Sequence, residues 1–265
     1  MMPLSGTKER KQWSTLFGQL VYLDLRTRYF NSRLGLAILI AQPLALLVVY
    51  SWIFGDLMQL KHQGGQDGHY FSEYLLAGLI AFNTLAEVFT RAPNLLLERR
   101  ELLLNTALPA VLVPWVLVAS SLLLEGISIA LLIIWMSIQG LNPLWALGCY
   151  LPWLVIRLLW SSAGAALLSV LGVVLTDLRQ VLSAILGILL LITPIFYRLE
   201  QIPSHWQTAL LWNPFTYLIQ GYQTALVQGE FKVLAWLPVL LASLVVWYLS
   251  VSMARRLLPK IRYVL

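Results

Sequence analysis

Long apolar runs separated by short polar stretches dominate this chain. About 20 apolar residues in a helix cross the roughly 30 Å of bilayer hydrocarbon. These runs reach that length and are apolar on every face, whereas a helix on a soluble core needs only one such face. The pattern predicts six spans, over residues 34–57 (with Pro43 inside), 72–92, 108–138, 144–175, 181–197 and 233–254. Gln139-Gly140-Leu141-Asn142-Pro143 reads as a tight turn between the third and fourth.

Two segments break the rhythm. In residues 1–33, Trp13, Leu16, Phe17, Leu20 and Leu23 recur at helical spacing, with Gln12, Gln19 and Arg26 off the stripe. A basic amphipathic helix of this kind lies in the headgroup plane instead of crossing. The chain thus divides into this N-terminal helix, 1–33, and a membrane domain, 34–265. The second segment, 202–228, holds an apolar portion interrupted by Asn213-Pro214 and Gly221, and fits either a seventh crossing or a pair of helices that dips in and returns. Charge decides between them. With six crossings one side collects the basic residues of 1–33, then Arg91, Arg99, Arg100 and Arg179, and finally the basic tail, while the other side holds only Lys61, Arg198 and Lys232. The positive-inside rule makes the first side cytoplasmic, with both termini on it, and a seventh crossing would violate that rule. The predicted fold class is therefore an all-α polytopic membrane protein. It has six transmembrane helices, an N-terminal amphipathic interface helix, and an outer re-entrant helical hairpin between spans five and six.

Composition supports this reading. Hydrophobic residues make up 59% of the chain and charged ones 11%, against roughly 25% charged in soluble domains. The net charge of +6 does not indicate nucleic acid, because the basic residues flank the apolar runs. The single cysteine, Cys149, leaves no intrachain disulfide. The polar, basic start is not expected to act as a cleavable signal peptide.

Two charges sit inside spans, Glu125 and Arg157. A lone charge there costs at least about 2.5–3.5 kcal/mol. Each lies about 16 residues from the centre of the turn joining its helices, so at 1.5 Å per residue both reach the same depth. That spacing predicts an interhelical ion pair that also hydrogen-bonds; the other reading has Arg157 face a pathway and receive a phosphate. Glu87 and Arg91 stand in the favourable acid-first, four-apart arrangement on one helix face.

Catalytic signatures are missing. Gly-Lys never occurs, so no phosphate loop exists. His62, His69 and His205 are too dispersed for a local metal motif, and neither GxSxG nor HExxH is found. No catalytic residue and no metal site are expected.

Several spaced motifs then point to a family. They are Arg26-Thr27-Arg28-Tyr29 leading into Ser32-Arg33-Leu34-Gly35, Gln42-Pro43, Tyr74-Leu75-Leu76-Ala77-Gly78-Leu79, Arg91-Ala92, and Pro109 with Pro114. Asp177-Leu178-Arg179, Pro194-Ile195-Phe196-Tyr197, Ile202-Pro203, Trp212-Asn213-Pro214 and Gly221-Tyr222 follow in order. Together they resemble the permease subunits of bacterial ABC exporters of polysaccharides, which serve O-antigen, capsule and teichoic-acid export. The resemblance covers nearly the whole chain. It departs at Ile38, at Leu104-Asn105 and at Ala110-Val111, where the family often carries Trp, a Lys pair and Arg-Glu.

The resemblance implies a homodimer in the bacterial cytoplasmic (inner) membrane, driven by two copies of a separate ABC ATPase subunit. That partner would bind ATP and Mg, leaving no cofactor in this chain. The substrate would be a lipid-linked, polyprenyl pyrophosphate glycan. Residues 94–105 resemble the coupling helix, with Glu98, Arg99, Arg100 and Glu101 as ATPase contacts; the plainer alternative is a solvated loop. Arg26, Arg28 and Arg33 would meet the lipid pyrophosphate, or else serve only headgroup anchoring. Tyr50, Trp52, Phe196, Tyr197, Phe215, Tyr217 and Tyr222 are candidates for the glycan pathway and gate, since aromatic faces give sugar rings apolar area without deep wells; an interfacial aromatic belt is the alternative. Two rival functions stand beside this one. One is a drug or other small-substrate permease of the same superfamily, and the other is an integral membrane enzyme of lipid or glycan assembly.

Overall fold

The computed structural model describes residues 6–30, 35–50, 52–53, 70–105, 109–139, 144–199 and 202–261. Arg33, residues 54–69 and the side chain of Tyr50 lie outside the described part. All regular elements among the described residues are helical. Helix α1 (Gly6–Leu25) runs into a π-helical turn (Arg26–Phe30), followed by α2 (Gly35–Tyr50) and α3 (Tyr70–Arg91). A 3-10 turn (Ala92–Asn94) leads to two short helices, α4 (Leu95–Glu98) and α5 (Arg100–Asn105). Then come α6 (Leu112–Ile138), α7 (Leu144–Val174), α8 (Leu178–Ile192), α9 (Ser204–Leu211) and α10 (Pro214–Gln223). A second π turn (Thr224–Gln228) precedes α11 (Val233–Ile261).

Four stretches are long and apolar enough to cross a membrane: Phe71–Glu98, Leu112–Ile138, Trp145–Val174 and Val233–Lys260. The helices in the first and fifth predicted spans are shorter, 16 residues in α2 and 15 in α8. The fifth element also shifts from its predicted bounds. It begins at Leu178 and stops at Ile192, where Thr193 turns extended (φ −73°, ψ 138°) ahead of Pro194. A residue before proline is driven out of the helical region, which accounts for the early stop.

The long helices pack with α3 at the centre. Leu75, Ile80 and Leu85 of α3 meet Ile129 and Leu132 of α6, Ile156 of α7, and Leu218 and Ile219 of α10 in one continuous core. A second cluster at the far end of α3 joins Val88, Leu95 and Leu96 to Val113 and Leu117 of α6 and to Ala165, Ala166 and Val170 of α7. Close contact, not escape from water, holds apolar helices together in lipid, so small residues at crossings matter.

Helix α1 packs on α6 through Leu20, Val21 and Val116, with Leu16 and Phe17 against them. Its buried stripe is rotated from the predicted one: Leu23 is 45% exposed, and Asp24 takes the inward position. The pairing of a carboxylate on that face, described below, explains the rotation.

Helix α10 is set by its cap. Asn213 accepts from the Phe215 N–H at 3.0 Å and donates to the Thr193 hydroxyl at 3.0 Å, while Pro214 takes the first helical position. From there Phe215 meets Phe89 (ring centroids 6.2 Å) and Gln223 reaches Gly78, so α10 runs antiparallel to α3. Gly221 lies flat against Trp153, where an added Cβ would overlap the indole ring. The second π turn ends at Gly229, whose φ of 65° is left-handed and favours glycine. Its carbonyl accepts from Trp145 Nε1 at 3.1 Å.

Candidate functional site

The structure brings Glu125 and Arg157 together at the middle of the bundle. Arg157 Nε stands 3.1 Å from Glu125 Oε2, and both side chains are 0% exposed. This contact is an ion pair without hydrogen-bond alignment. The hydrogen bonds fall on neighbouring atoms. Glu125 Oε1 accepts from the Tyr222 hydroxyl at 2.5 Å and from the Tyr150 hydroxyl at 3.0 Å. Arg157 Nη2 donates to Ser121 Oγ at 2.9 Å and lies 3.5 Å from the Thr84 carbonyl. The Tyr150 and Tyr222 rings meet edge to face, with centroids 5.2 Å apart. One carboxylate and one guanidinium thus tie α3, α6, α7 and α10 at a single depth. A buried pair holds only with such supporting bonds, because desolvation otherwise exceeds the attraction.

A second set of charges lies where α1 meets the far end of α3. Asp24 accepts from Arg99 at 2.7 Å and from Arg91 at 3.4 Å. Arg28 pairs with Glu87, which also faces Arg91 at 3.8 Å. Burial pushes the Asp24 carboxyl upward, but Arg91, the nearby Ser120 hydroxyl and Arg99 outweigh it and hold the group below the ordinary Asp value. Burial raises the Tyr29 phenol, which therefore stays protonated, with the Arg28 guanidinium 5.2 Å from its ring centre. Arg28, Tyr29 and Glu87 form part of the wall of a cleft of about 420 Å³ between α2, α3 and α6.

The expected coupling segment 94–105 is two short helices broken at Arg99, whose backbone (φ −106°, ψ 17°) leaves the helical region. Glu98, Arg100 and Glu101 are exposed beside Leu97 and Leu104. Arg99 is turned inward to Asp24, with a side chain only 14% exposed.

The aromatic candidates separate. Trp52 is exposed, while Phe196, Tyr197 and Tyr217 are half-buried. Tyr197 donates to the Ile192 carbonyl. Phe215 packs between Phe89 and Trp160, and Tyr222 is fully buried on Glu125. Of the basic candidates, Arg26 is exposed and Arg28 is bound to Glu87.

Three residues escaped the sequence reading. Asp24 is one of two carboxylates, with Glu9, in the basic segment before the first span, and it extends the apolar stripe by one turn. Tyr150 lies two turns before Arg157 on the same face of α7. Glu73, buried at the start of α3, accepts from Trp135 Nε1 at 3.0 Å, Gln139 Nε2 at 3.2 Å and Ser72 Oγ at 2.9 Å. It would have stood out as a carboxylate in the first turn of an apolar helix.

Similarity to known proteins agrees with this architecture. Residues 15–227 match the family described as ABC-2 type transporter. The chain is 24% identical to the O-antigen export system permease protein RfbA of Klebsiella pneumoniae, over 81% of this chain and 82% of that one. It is 25% identical to the protein of the same name from Myxococcus xanthus, over 82% of each. It is 28% identical to the polysialic acid transport protein KpsM of Escherichia coli, over 78% of this chain and 79% of that one. A match across most of the chain, on a bundle of membrane-length helices with an exposed charged segment beside α3, has one reading: this chain belongs to the ABC-2 type transporter family.

Proposed function

We propose that this chain is the transmembrane subunit of an ATP-driven ABC transporter that exports a lipid-linked polysaccharide across the bacterial cytoplasmic membrane. The observation that carries the proposal is similarity over about four-fifths of the chain to permeases named for O-antigen export and polysialic acid transport. In this reading two copies form the conduit, and a separate subunit binds ATP and Mg. Six spans cross the membrane, with α2 and α8 as the shorter two and both termini in the cytoplasm. The absence of any Gly-Lys pair from the sequence accords with that division of labour.

The exposed strip of Leu97, Glu98, Arg100, Glu101 and Leu104 is the docking surface for the ATPase, which turns closure of that partner into helix movement. Arg26, Arg28 and Arg33 receive the lipid pyrophosphate, as guanidinium groups bind phosphate bidentately. The α9–α10 pair acts as the outer gate. Tyr222 is its anchor on Glu125, and Tyr50, Trp52, Phe196, Tyr197, Phe215 and Tyr217 offer aromatic surface to a moving glycan.

Deleting the gene and following the lipid-linked glycan tests the proposal. Export predicts build-up in the cytoplasmic leaflet and loss of the surface polymer. A normal surface glycan in the deletion strain ends it.

A further inference from the structure

The charges around Arg28 form a chain with two ends. Arg28 bonds Glu87, Glu87 faces Arg91, Arg91 reaches Asp24, and Asp24 holds Arg99. Arg99 sits at the break between α4 and α5, inside the segment whose outer face is exposed. Arg28 sits at the other end, in the wall of the 420 Å³ cleft.

That cleft is amphipathic. Arg28, Glu87 and Asn83 give its polar part, and Leu46, Leu76 and Leu79 give its apolar part. Asn83 is exposed although it lies within an apolar span, where a bare amide facing hydrocarbon is costly. Arg28 is only partly satisfied: Nη2 is on Glu87, while Nη1 is buried with no hydrogen-bond partner. A guanidinium with one free donor edge, beside a polar amide and a run of leucines, suits a group that is anionic at one end and hydrocarbon at the other. The volume falls in the range of small-ligand pockets, roughly 300–1,000 Å³, which admits a phosphate head and the first part of a tail but no polymer.

We propose that this cleft binds the phosphate head of a lipid, with the head on Arg28 in place of Glu87 and the start of the tail along Leu46, Leu76 and Leu79. The Glu87 carboxylate released by that exchange turns to Arg91, weakens the hold of Arg91 on Asp24, and so alters the Asp24–Arg99 bond at the coupling segment. Occupancy of the cleft is thereby signalled to the surface that meets the ATPase. The relay rests on the exporter reading above; the lipid site deepens the role given there to Arg28, with a geometric argument that holds for any phosphate-headed lipid.

The test uses the complex purified with its ATPase subunit. Lipid binding is measured by native mass spectrometry with phosphatidylglycerol, a polyprenyl pyrophosphate, diacylglycerol and inorganic pyrophosphate as probes. The phosphate-bearing lipids should bind and diacylglycerol should not, and Arg28→Gln should weaken binding about tenfold. Inorganic pyrophosphate should fail to displace the lipid at equal concentration. An unaffected Arg28→Gln variant, or inorganic pyrophosphate competing as well as the lipid, overturns the site. Preference for the polyprenyl pyrophosphate identifies the occupant as substrate and preference for phosphatidylglycerol as a resident lipid; the site stands in both cases, and only the first supports the exporter reading. For the relay, Glu87→Gln, which leaves no carboxylate to draw Arg91 away from Asp24, should lose the stimulation of ATP hydrolysis by lipid. Asp24→Asn should retain lipid binding and lose its stimulation, and exchanging the charges with Asp24→Arg and Arg99→Asp together should restore part of it. Unchanged stimulation in both single variants overturns the relay.

Discussion

Glu125 carries more of the interior than any other side chain described above, because two phenols and a guanidinium, from α7 and α10, converge on it. Removing one partner of a buried pair strands the other, at a cost of about 3–5 kcal/mol. Glu125→Leu and Arg157→Leu should therefore each lower the unfolding temperature of the detergent-solubilised protein sharply, and the double variant should lose less than the sum of the two. Tyr222→Phe deletes one hydrogen bond to a charged acceptor and should cost about 1.5–3 kcal/mol in the same measurement. The depth of the two charges was readable in the sequence because a tight turn fixes the register of antiparallel helices on either side. The tyrosines were not readable in this way. Tyr222 reaches Glu125 from α10, an element whose position depends on a cap and a packed glycine and not on any periodicity. Arg99 shows the converse: the family resemblance marked it as a partner contact, yet Asp24, far away in sequence, draws it inward.

Among the elements, α1 and α10 owe their positions to a few specific bonds. A carboxyl whose folded pKa lies below its unfolded one adds stability above the unfolded value, about 4, and loses it as pH falls through the folded value. Asp24 is such a group. The protection factors of the α1 amides, corrected for the intrinsic pH dependence of exchange, should thus stay constant from about pH 8 to pH 5 and fall only below about pH 4, with Asp24→Asn abolishing the change. For α10 the sensitive position is Gly221. Gly221→Val places branched bulk into the Trp153 ring, and new protease cleavage between residues 204 and 228 should report the displaced helix. Periodicity located α3, α6, α7 and α11 closely, since long apolar runs leave little choice of state. It overran α8, where the single restriction imposed by Pro194 ended the helix before the apolar run did.

At the scale of the molecule, the helices alternate in direction. Pro93 packs at Gly172 and Asp24 holds Arg99 at one end; Glu73 meets Gln139 and Trp145 meets Gly229 at the other. In the proposed orientation, which puts the coupling end inside the cell, a cysteine in place of Lys232 should react with a membrane-impermeant maleimide on intact cells, and one in place of Arg255 should react only after lysis. The reverse pattern would place the docking strip outside and remove any role for an intracellular ATPase. Helix α11, finally, packs chiefly on α7, through Trp236 Nε1 on the Pro152 carbonyl at 3.0 Å and Trp160 Nε1 on Ser243 at 3.0 Å. Most of its remaining surface is open to the surroundings, and the family match ends at residue 227, before it begins. On the face turned away from α7, greasiness counts for more than the identity of each letter. That outer face is the part evolution can rewrite freely, provided the seam with α7, from Trp236 to Ala254, keeps its fit.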